Sequence, residues 1–209
     1  MNDTKARSER GEKKRRDVLD ATLRLLAREG PRAITHRAVA AEAGTSLRAT
    51  TYYFASREAL LDEALRHYAE GAIARFDAIA AMLEGTPDDP VGLASALLTA
   101  TVESDLADDT GGLVAEYELV LEIARRPELE ATYRVWQERL EAMLTTHARW
   151  LGSASPELDA RLVLATLRGL EIEALARPSD PNRTASIRVV FERLLRAIAA
   201  SDRGDGPLR

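Results

Sequence analysis

Two short helical segments that meet at a glycine constrain the fold of this 209-residue chain more than any other feature. Thr35 can cap a first helix that runs to about Ala43, and Gly44 can adopt the left-handed conformation that ends it. Ser46 can then cap a second helix over residues 47–53. Two short helices joined through a glycine and packed on a longer preceding helix form a helix-turn-helix, so this stretch predicts that motif.

The rest of the chain also has a helical composition. Ala, Leu, Arg and Glu are abundant and favour helices, whereas only 5% of the residues are aromatic. Clusters of Gly, Pro, Asp and Ser separate stretches of helical length. The sequence therefore predicts an all-α fold of about nine helices, over residues 10–29, 35–43, 47–53, 56–83, 90–107, 111–125, 127–151, 156–177 and 183–201.

Charge is divided unevenly along the sequence. Residues 1–57 contain 13 Lys and Arg against 7 Asp and Glu, a net charge of +6, and the remainder carries −11. The first 16 residues are polar and basic without helical periodicity, which predicts a flexible basic arm. A basic end on an acidic body indicates that this end meets a polyanion, with chance clustering as the alternative.

Three of the ten aromatic residues are adjacent, at Tyr52, Tyr53 and Phe54. Phe54 has the position of a core anchor beneath the two short helices. The two tyrosines suit a role in which the ring packs on the domain and the hydroxyl reaches a phosphate oxygen. The alternative is that both hydroxyls are buried on water or backbone partners.

The stretch AITHRAVAAEAGTSLRATTYYFASREALLDEAL resembles the DNA-binding domain of the TetR-type (TetR/AcrR) family of bacterial transcriptional regulators. The Ala43-Gly44 turn, Ser46, the aromatic run ending in Phe54 and the segment SREALL carry the resemblance. It implies a helix-turn-helix DNA-binding domain and a C-terminal helical domain for ligand binding and dimerisation. The expected division is an arm over 1–16, a DNA-binding domain over 17–57, a regulatory and dimerisation domain over 58–201, and a polar tail over 202–209.

The same resemblance implies the residues that contact DNA. Arg48 would bind guanine, with a phosphate or solvent position as its alternative, and His36 has a structural role beside the helix cap as its alternative. Thr51 stands where many family members have a tyrosine, so the phosphate contact of that tyrosine would weaken or pass to Thr51 and Tyr52. The full expected set is Thr35, His36, Arg37, Ser46, Leu47, Arg48, Ala49, Thr51, Tyr52, Tyr53 and Arg57.

The helices of the acidic body supply candidates for two further sites. Mixed aromatic, acidic, Met and His residues suit a small-molecule effector, with plain core as the alternative; they are Glu116, Tyr117, Glu118, Trp136, Met143 and His147. The last two helices suit a homodimer interface, with an intramolecular core as the alternative; the residues expected there are Leu162, Ala165, Gly169, Ile172, Ile187, Val190, Phe191, Leu194 and Ile198.

Other function classes find little support in the sequence. There are no cysteines, the three histidines lie far apart, and no phosphate loop, nucleophile elbow or dinucleotide fingerprint is present. We therefore expect no enzyme activity, no metal and no cofactor. The longest apolar run is too short for a bilayer and the N-terminus is charged, so we expect a cytoplasmic protein without a membrane partner.

These features together predict a ligand-responsive regulator that binds double-stranded DNA. Repression of a palindromic operator by a dimer, with release by a small molecule, is the mode that the resemblance implies. The alternative function is a helical adaptor protein that has kept the fold without sequence-specific DNA binding.

Overall fold

The computed structural model describes residues 2–82, 88–108, 111–124 and 130–201, and within these ranges the chain is helical without a strand. The all-α prediction is confirmed. The elements are α1 (Asn2–Glu29), a 3-10 turn (Pro31–Ala33), α2 (His36–Glu42), α3 (Leu47–Tyr53), α4 (Arg57–Met82), α5 (Pro90–Ala107), α6 (Gly112–Ile123), α7 (Glu130–Trp150), α8 (Pro156–Ala176) and α9 (Arg183–Ala200).

The start of the chain differs from the expected flexible arm over 1–16, because α1 is helical from Asn2. The stretch lacks apolar periodicity, but it is rich in Arg and Lys and contains Glu, and these residues favour a helix. Lys13 Nζ also lies 3.8 Å from Asp17 Oδ2 one turn on, a spacing that supports an exposed helix. The other described helix ends lie within three residues of their predicted positions. The expected polar tail over 202–209 lies outside the described residues.

Contacts divide the chain into two compact units. The first, which we call the reading unit, comprises Met1–Gly71 and Asp108–Trp136; the second, the body unit, comprises Ala72–Ala107 and Gln137–Arg209. The sequence placed a boundary after residue 57, whereas the contacts keep the first part of α4 and all of α6 with the helix-turn-helix.

The core of the reading unit forms where α1, α2 and α4 meet. Val18, Leu26, Val39, Phe54 and Leu60 are all buried there. Helix α6 packs on α1 in the same unit. Gly111, at a φ of 69°, begins α6 so close to α1 that a Cβ on it would lie 2.8 Å from the Cβ of Ala27.

The core of the body unit joins α5, α8 and α9 around Val102, Leu164 and Phe191. A polar clamp reinforces it, because Arg183 Nη2 donates to Glu103 Oε2 at 2.8 Å and Thr184 Oγ1 donates to Glu103 Oε1 at 2.7 Å. The hydrogen bond from Arg183 lowers the pKa of Glu103 despite its partial burial. The clamp fixes α9 against α5.

Candidate nucleic-acid interface and apolar cavity

The turn between α2 and α3 has the geometry of a helix-turn-helix. Gly44 has a φ of 59° and donates its N–H to the carbonyl of Ala41 at 3.2 Å, while the N–H of Thr45 reaches the carbonyl of Ala40 at 2.9 Å. These two bonds form a Schellman motif, which ends α2 and reverses the chain. Ser46 Oγ then accepts from the N–H of Ala49 at 3.2 Å and caps α3.

Helix α3 turns one face inward and the other to solvent. Thr50 is fully buried and donates to the carbonyl of Leu47 at 2.8 Å, which fixes the inner face. Leu47, Arg48 and Tyr52 are exposed on the outer face. Arg48 makes no ion pair or hydrogen bond within the described parts of the chain. An exposed arginine without an internal partner leaves its guanidinium group available for a nucleic acid.

The two tyrosines are placed differently. The Tyr52 side chain is 82% exposed at the end of α3. Tyr53 is half-buried, and its hydroxyl would lie 3.8 Å from a Cβ on Gly11, so it points along α1. Phe54 is buried under the guanidinium group of Arg15, 5.6 Å from the ring centroid. The described geometry therefore leaves Tyr52 as the tyrosine that projects outward.

The start of α2 carries three of the expected DNA contacts. Thr35 is exposed, and its Oγ1 accepts from the N–H of Ala38 at 3.1 Å as the helix cap. Arg37 is exposed beside it. His36 Nε2 donates to the carbonyl of Phe54 at 2.9 Å, which ties α2 to the end of α3. This contact agrees with the structural alternative for His36.

Arg57 differs from the expected phosphate contact. Its Nε donates to the carbonyl of Ile34 at 3.0 Å, and its Nη2 donates to the carbonyl of Pro31. Its Nη1 is buried without a hydrogen bond, 3.9 Å from Glu58 Oε1. The guanidinium group is therefore used to hold the 3-10 turn against the start of α4. Sequence spacing could not reveal this, because the carbonyls lie more than 20 residues away along the chain.

Thr51 bonds within its own helix. Its hydroxyl lies 3.0 Å from the carbonyl of Leu47 and 3.2 Å from the carbonyl of Arg48. The side chain is exposed, but its only donor proton is directed to these carbonyls. A phosphate contact by Thr51 would require that proton to turn outward.

A brace between α1 and α2 was not predicted from the sequence. Arg28 Nη2 donates to Glu42 Oε2 at 2.8 Å, and Arg24 Nε donates to Glu42 Oε1 at 3.2 Å. These bonds lower the pKa of Glu42, with that from Arg28 the larger cause. The two arginines share one face of α1 at a spacing of four, which is the only local signal; their partner is 14 and 18 residues distant.

The six expected effector residues are divided between the two units. Glu116, Tyr117, Glu118 and Trp136 belong to the reading unit, and Met143 and His147 belong to the body unit. Trp136 is 6% exposed and packs edge-on against Tyr68 at 5.9 Å and Tyr133 at 5.5 Å. Its indole Nε1 is buried without a hydrogen bond. Glu116 is buried, and Glu118 lines a polar cleft of ≈ 450 Å³ together with Arg57.

His147 lines an apolar cavity inside the body unit. The cavity encloses ≈ 30 Å³. His147 packs edge-on against Phe76 at 5.5 Å, and its Nδ1 donates to the carbonyl of Met143 at 2.9 Å. The other residues of the lining are all aliphatic: Ala94, Leu97, Leu98, Leu144, Ala148, Leu151, Val163, Leu195 and Ile198.

The nine residues expected at a dimer interface fall into two groups. On α8, Leu162 and Ile172 are 46% and 54% exposed, and Ala165 and Gly169 lie exposed between them. On α9, the expected stripe instead faces inward, because its members pack on α5 and α8; Ile187, Phe191 and Ile198 are buried in the core, and Leu194 packs against it. Val190 is 40% exposed.

Comparison with known families identifies the chain. Residues 18–64 match the model described as bacterial regulatory proteins, tetR family, and residues 86–197 match the tetracyclin repressor-like C-terminal domain. The second match alone spans more than half of the chain. The chain belongs to the TetR family.

Solved structures agree with this assignment. A TetR-family member from Streptomyces coelicolor A3 is 32% identical with a TM-score of 0.67, over 87% of this chain and 97% of the other. The multidrug binding protein EbrR, complexed with ethidium, is 32% identical with a TM-score of 0.64, over 87% and 98%. A transcriptional regulator from Rhodococcus sp. Rha1, at 21% identity and a TM-score of 0.72, covers 92% and 98% and shares the fold. No curated protein matches the chain.

As a TetR-family protein, the chain is a ligand-responsive DNA-binding transcriptional regulator and not an enzyme. None of the helices in the described ranges has the length and apolar character needed to cross a membrane. Among those same residues, no group of three or more His, Asp or Glu side chains is arranged to hold a metal ion.

Proposed function

We propose that this regulator is a repressor that binds a palindromic operator as a homodimer and leaves it when a small molecule enters the body unit. The observation that carries the DNA-binding part is the outer face of α3. Arg48 and Tyr52 lie one helical turn apart there, both exposed, behind a capped N-terminus. In a helix-turn-helix, the N-terminal residues of the recognition helix contact base edges in the major groove.

Each exposed side chain has a chemical match on DNA. Arg48 can bind O6 and N7 of guanine with two hydrogen bonds, and Leu47 can pack on a thymine methyl group. Tyr52 can donate its hydroxyl to a phosphate oxygen, and Arg37 supplies positive charge at the start of α2. Ser46 and Ala49 are small enough to let the backbone approach. His36, Tyr53 and Arg57 are partly buried and support the unit from within, while the exposed Thr51 bonds to carbonyls of its own helix, so we assign these four residues no direct base contact.

Dimerisation is supported by the exposed side of α8. Leu158, Leu162, Ala165, Gly169 and Ile172 follow one another at spacings of four and three, and all are exposed. Such a stripe is the pattern of a helix that packs against another helix. A second copy that packs on the α8 faces, with Val190 of α9 beside them, would give the two-fold symmetry that a palindromic operator requires.

Ligand response is supported by the path of α4. Three residues separate the end of α3 from the start of α4, and Phe76 near the other end of α4 lines the cavity of the body unit. A ligand that widens the cavity must displace Phe76, and therefore favours a different position of α4. A ligand with different affinity for the two positions shifts the DNA-binding equilibrium. EbrR, which is 32% identical and is complexed with ethidium, supports small-molecule binding in this fold.

Binding of fluorescent duplex DNA separates regulator from adaptor. At low salt, the regulator should bind mixed-sequence duplex measurably, and the logarithm of the affinity should fall linearly with the logarithm of the salt concentration. An adaptor with this acidic overall charge should show no such binding. Absence of binding by folded protein under these conditions would contradict the proposal.

A further inference from the structure

Among the described residues that line the apolar cavity of the body unit, only His147 has a polar side chain, and this composition limits the ligand. We infer that the effector is a neutral, largely apolar molecule with one hydrogen-bond donor directed to Nε2 of His147. The inference rests on the proposed function, because it names the chemical class of the molecule that the regulator answers.

The lining of the cavity disfavours a charged ligand. The eleven residues that line the cavity include Phe76 and His147, and the other nine are Ala, Leu, Val or Ile. A cation in this position would lose its hydration without a carboxylate to replace it, and an isolated buried charge costs far more than a neutral group of the same shape. The lining therefore selects against cations such as ethidium.

The hydrogen bond between His147 and Met143 determines which ring nitrogen can accept a hydrogen bond from a ligand. A carbonyl oxygen only accepts, so the 2.9 Å contact with Met143 requires the proton of the neutral ring to be on Nδ1. Nε2 then carries a lone pair and no proton. Among the described residues of the lining, it is the one side-chain atom able to accept a hydrogen bond. A hydroxyl, amide or indole N–H on the ligand would match it.

The cavity is too small for a ring-sized ligand unless it opens. A volume of ≈ 30 Å³ has room for about one water molecule, so a ring-sized ligand enters only when the surrounding helices separate. Phe76 and His147 both belong to the lining, and their rings pack edge-on with centroids 5.5 Å apart. Burial of the apolar area of a ligand would favour this opening.

Three isosteric probes test the inference on DNA-free protein. Ethylbenzene has no donor, benzyl alcohol has one neutral donor, and benzylammonium is a cation of the same shape. By calorimetric titration, benzyl alcohol and ethylbenzene should bind, and benzylammonium should bind at least about 10-fold more weakly than benzyl alcohol. Equal or tighter binding of benzylammonium would overturn the inference.

Variants of the lining test which atom accepts the hydrogen bond and whether the probes bind in the cavity. His147→Phe keeps an aromatic ring beside Phe76 but removes the acceptor, so the affinity ratio of benzyl alcohol to ethylbenzene should fall at least about 5-fold. Thr146→Ala, at the exposed neighbouring position on α7, should leave the ratio unchanged. Ala148→Val narrows the cavity and should weaken both neutral probes. A ratio that is the same in wild type and His147→Phe would contradict the role of Nε2.

Failure of this inference differs from failure of the proposed function. If benzylammonium binds best and also releases DNA, the regulator proposal stands and the neutral-ligand inference is wrong. If the neutral probes bind as expected at saturation but leave DNA affinity unchanged, the cavity assignment stands and its coupling to DNA is wrong.

Discussion

At the scale of single residues, Arg48 and Arg57 show how two arginines of one motif acquire different roles. Arg48 projects from α3 into solvent and has no partner among the residues that the structure describes, while Arg57 donates to the carbonyls of Ile34 and Pro31. The Nε and Nη2 donors of Arg57 are used by these carbonyls, so they are not available to a phosphate oxygen. The structure therefore leaves Arg48 available to DNA and uses Arg57 to stabilise the fold.

Replacement of Arg57 tests this separation. Arg57→Ala removes the donor to the carbonyl of Ile34 and one of the two donors to the carbonyl of Pro31, which also accepts from the N–H of Ile34, so the free energy of unfolding should fall by about 1–3 kcal/mol. The salt slope of DNA binding should stay as in wild type, since no phosphate contact is lost. Arg37→Ala is the matched control, because Arg37 is exposed and should change stability by no more than about 0.5 kcal/mol. A loss of about one from the salt slope in Arg57→Ala would show that Arg57 contacts phosphate after all.

Replacement of Arg48 tests base recognition. Arg48→Ala should weaken the free energy of binding to the preferred sequence by about 1–3 kcal/mol. The loss on unrelated duplex should be far smaller, because only the base contact is specific. Arg37→Ala should instead weaken both DNAs alike and reduce the salt slope by about one. The two variants are compared by titration against specific and mixed duplex across a salt series. Equal loss on both DNAs in Arg48→Ala would make Arg48 a phosphate contact.

Single-residue roles were the part least predictable from sequence. Residue types identified the exposed positions of α3 and the buried Phe54. They did not reveal that His36 bonds to the carbonyl of Phe54 or that the hydroxyl of Tyr53 points along α1. Those outcomes depend on contacts between residues 18 or more positions apart, which no local pattern encodes.

At the scale of elements, α2 and α3 are too short to be stable alone, since isolated helices under about 12 residues are marginal in water. Each is held by a cap, at Thr35 and Ser46, and by neighbours that cover its inner face. The brace from α1 to Glu42 adds a polar connection at the end of α2. The geometry presented to DNA therefore depends on α1.

The brace predicts a pH-dependent term in stability. Arg28 and Arg24 lower the pKa of Glu42 in the folded chain, so the unfolded chain binds more protons and stability rises with pH. The contribution is complete above the unfolded pKa of about 4.3 and is lost as pH falls through the lower folded value. Glu42→Gln removes it, so wild type should unfold at a higher urea concentration than the variant at neutral pH. The difference should vanish in acid; a difference that is constant with pH would contradict the brace.

Element boundaries were predicted well because Gly, Pro and capping residues are local signals. Helices α3 and α5, for example, begin and end where the sequence placed them. The predictions differ at α1, which extends to Asn2, and at α9, whose apolar stripe packs inside the body unit. Periodicity shows that a helix has an apolar face, but it does not show whether the same chain or another copy covers that face.

At the scale of the whole molecule, the exposed α8 face tests assembly. Leu162→Glu introduces a charge into the stripe and, by two-fold symmetry, does so twice in a dimer. Association measured by sedimentation should weaken at least about 10-fold, while the helical content stays unchanged. Leu121→Glu is the matched control, because Leu121 is 58% exposed on α6 outside the stripe. If both variants associate like wild type, α8 is not the interface.

Selection of bound sequences from a random duplex pool tests recognition of DNA by α3 most directly. We expect an inverted repeat whose half-sites are centred about 10 bp, or a multiple of it, apart, with a guanine whose enrichment is lost in Arg48→Ala. Recovery of sequences without a common motif, or with a motif unaffected by Arg48→Ala, would contradict recognition of DNA by the outer face of α3.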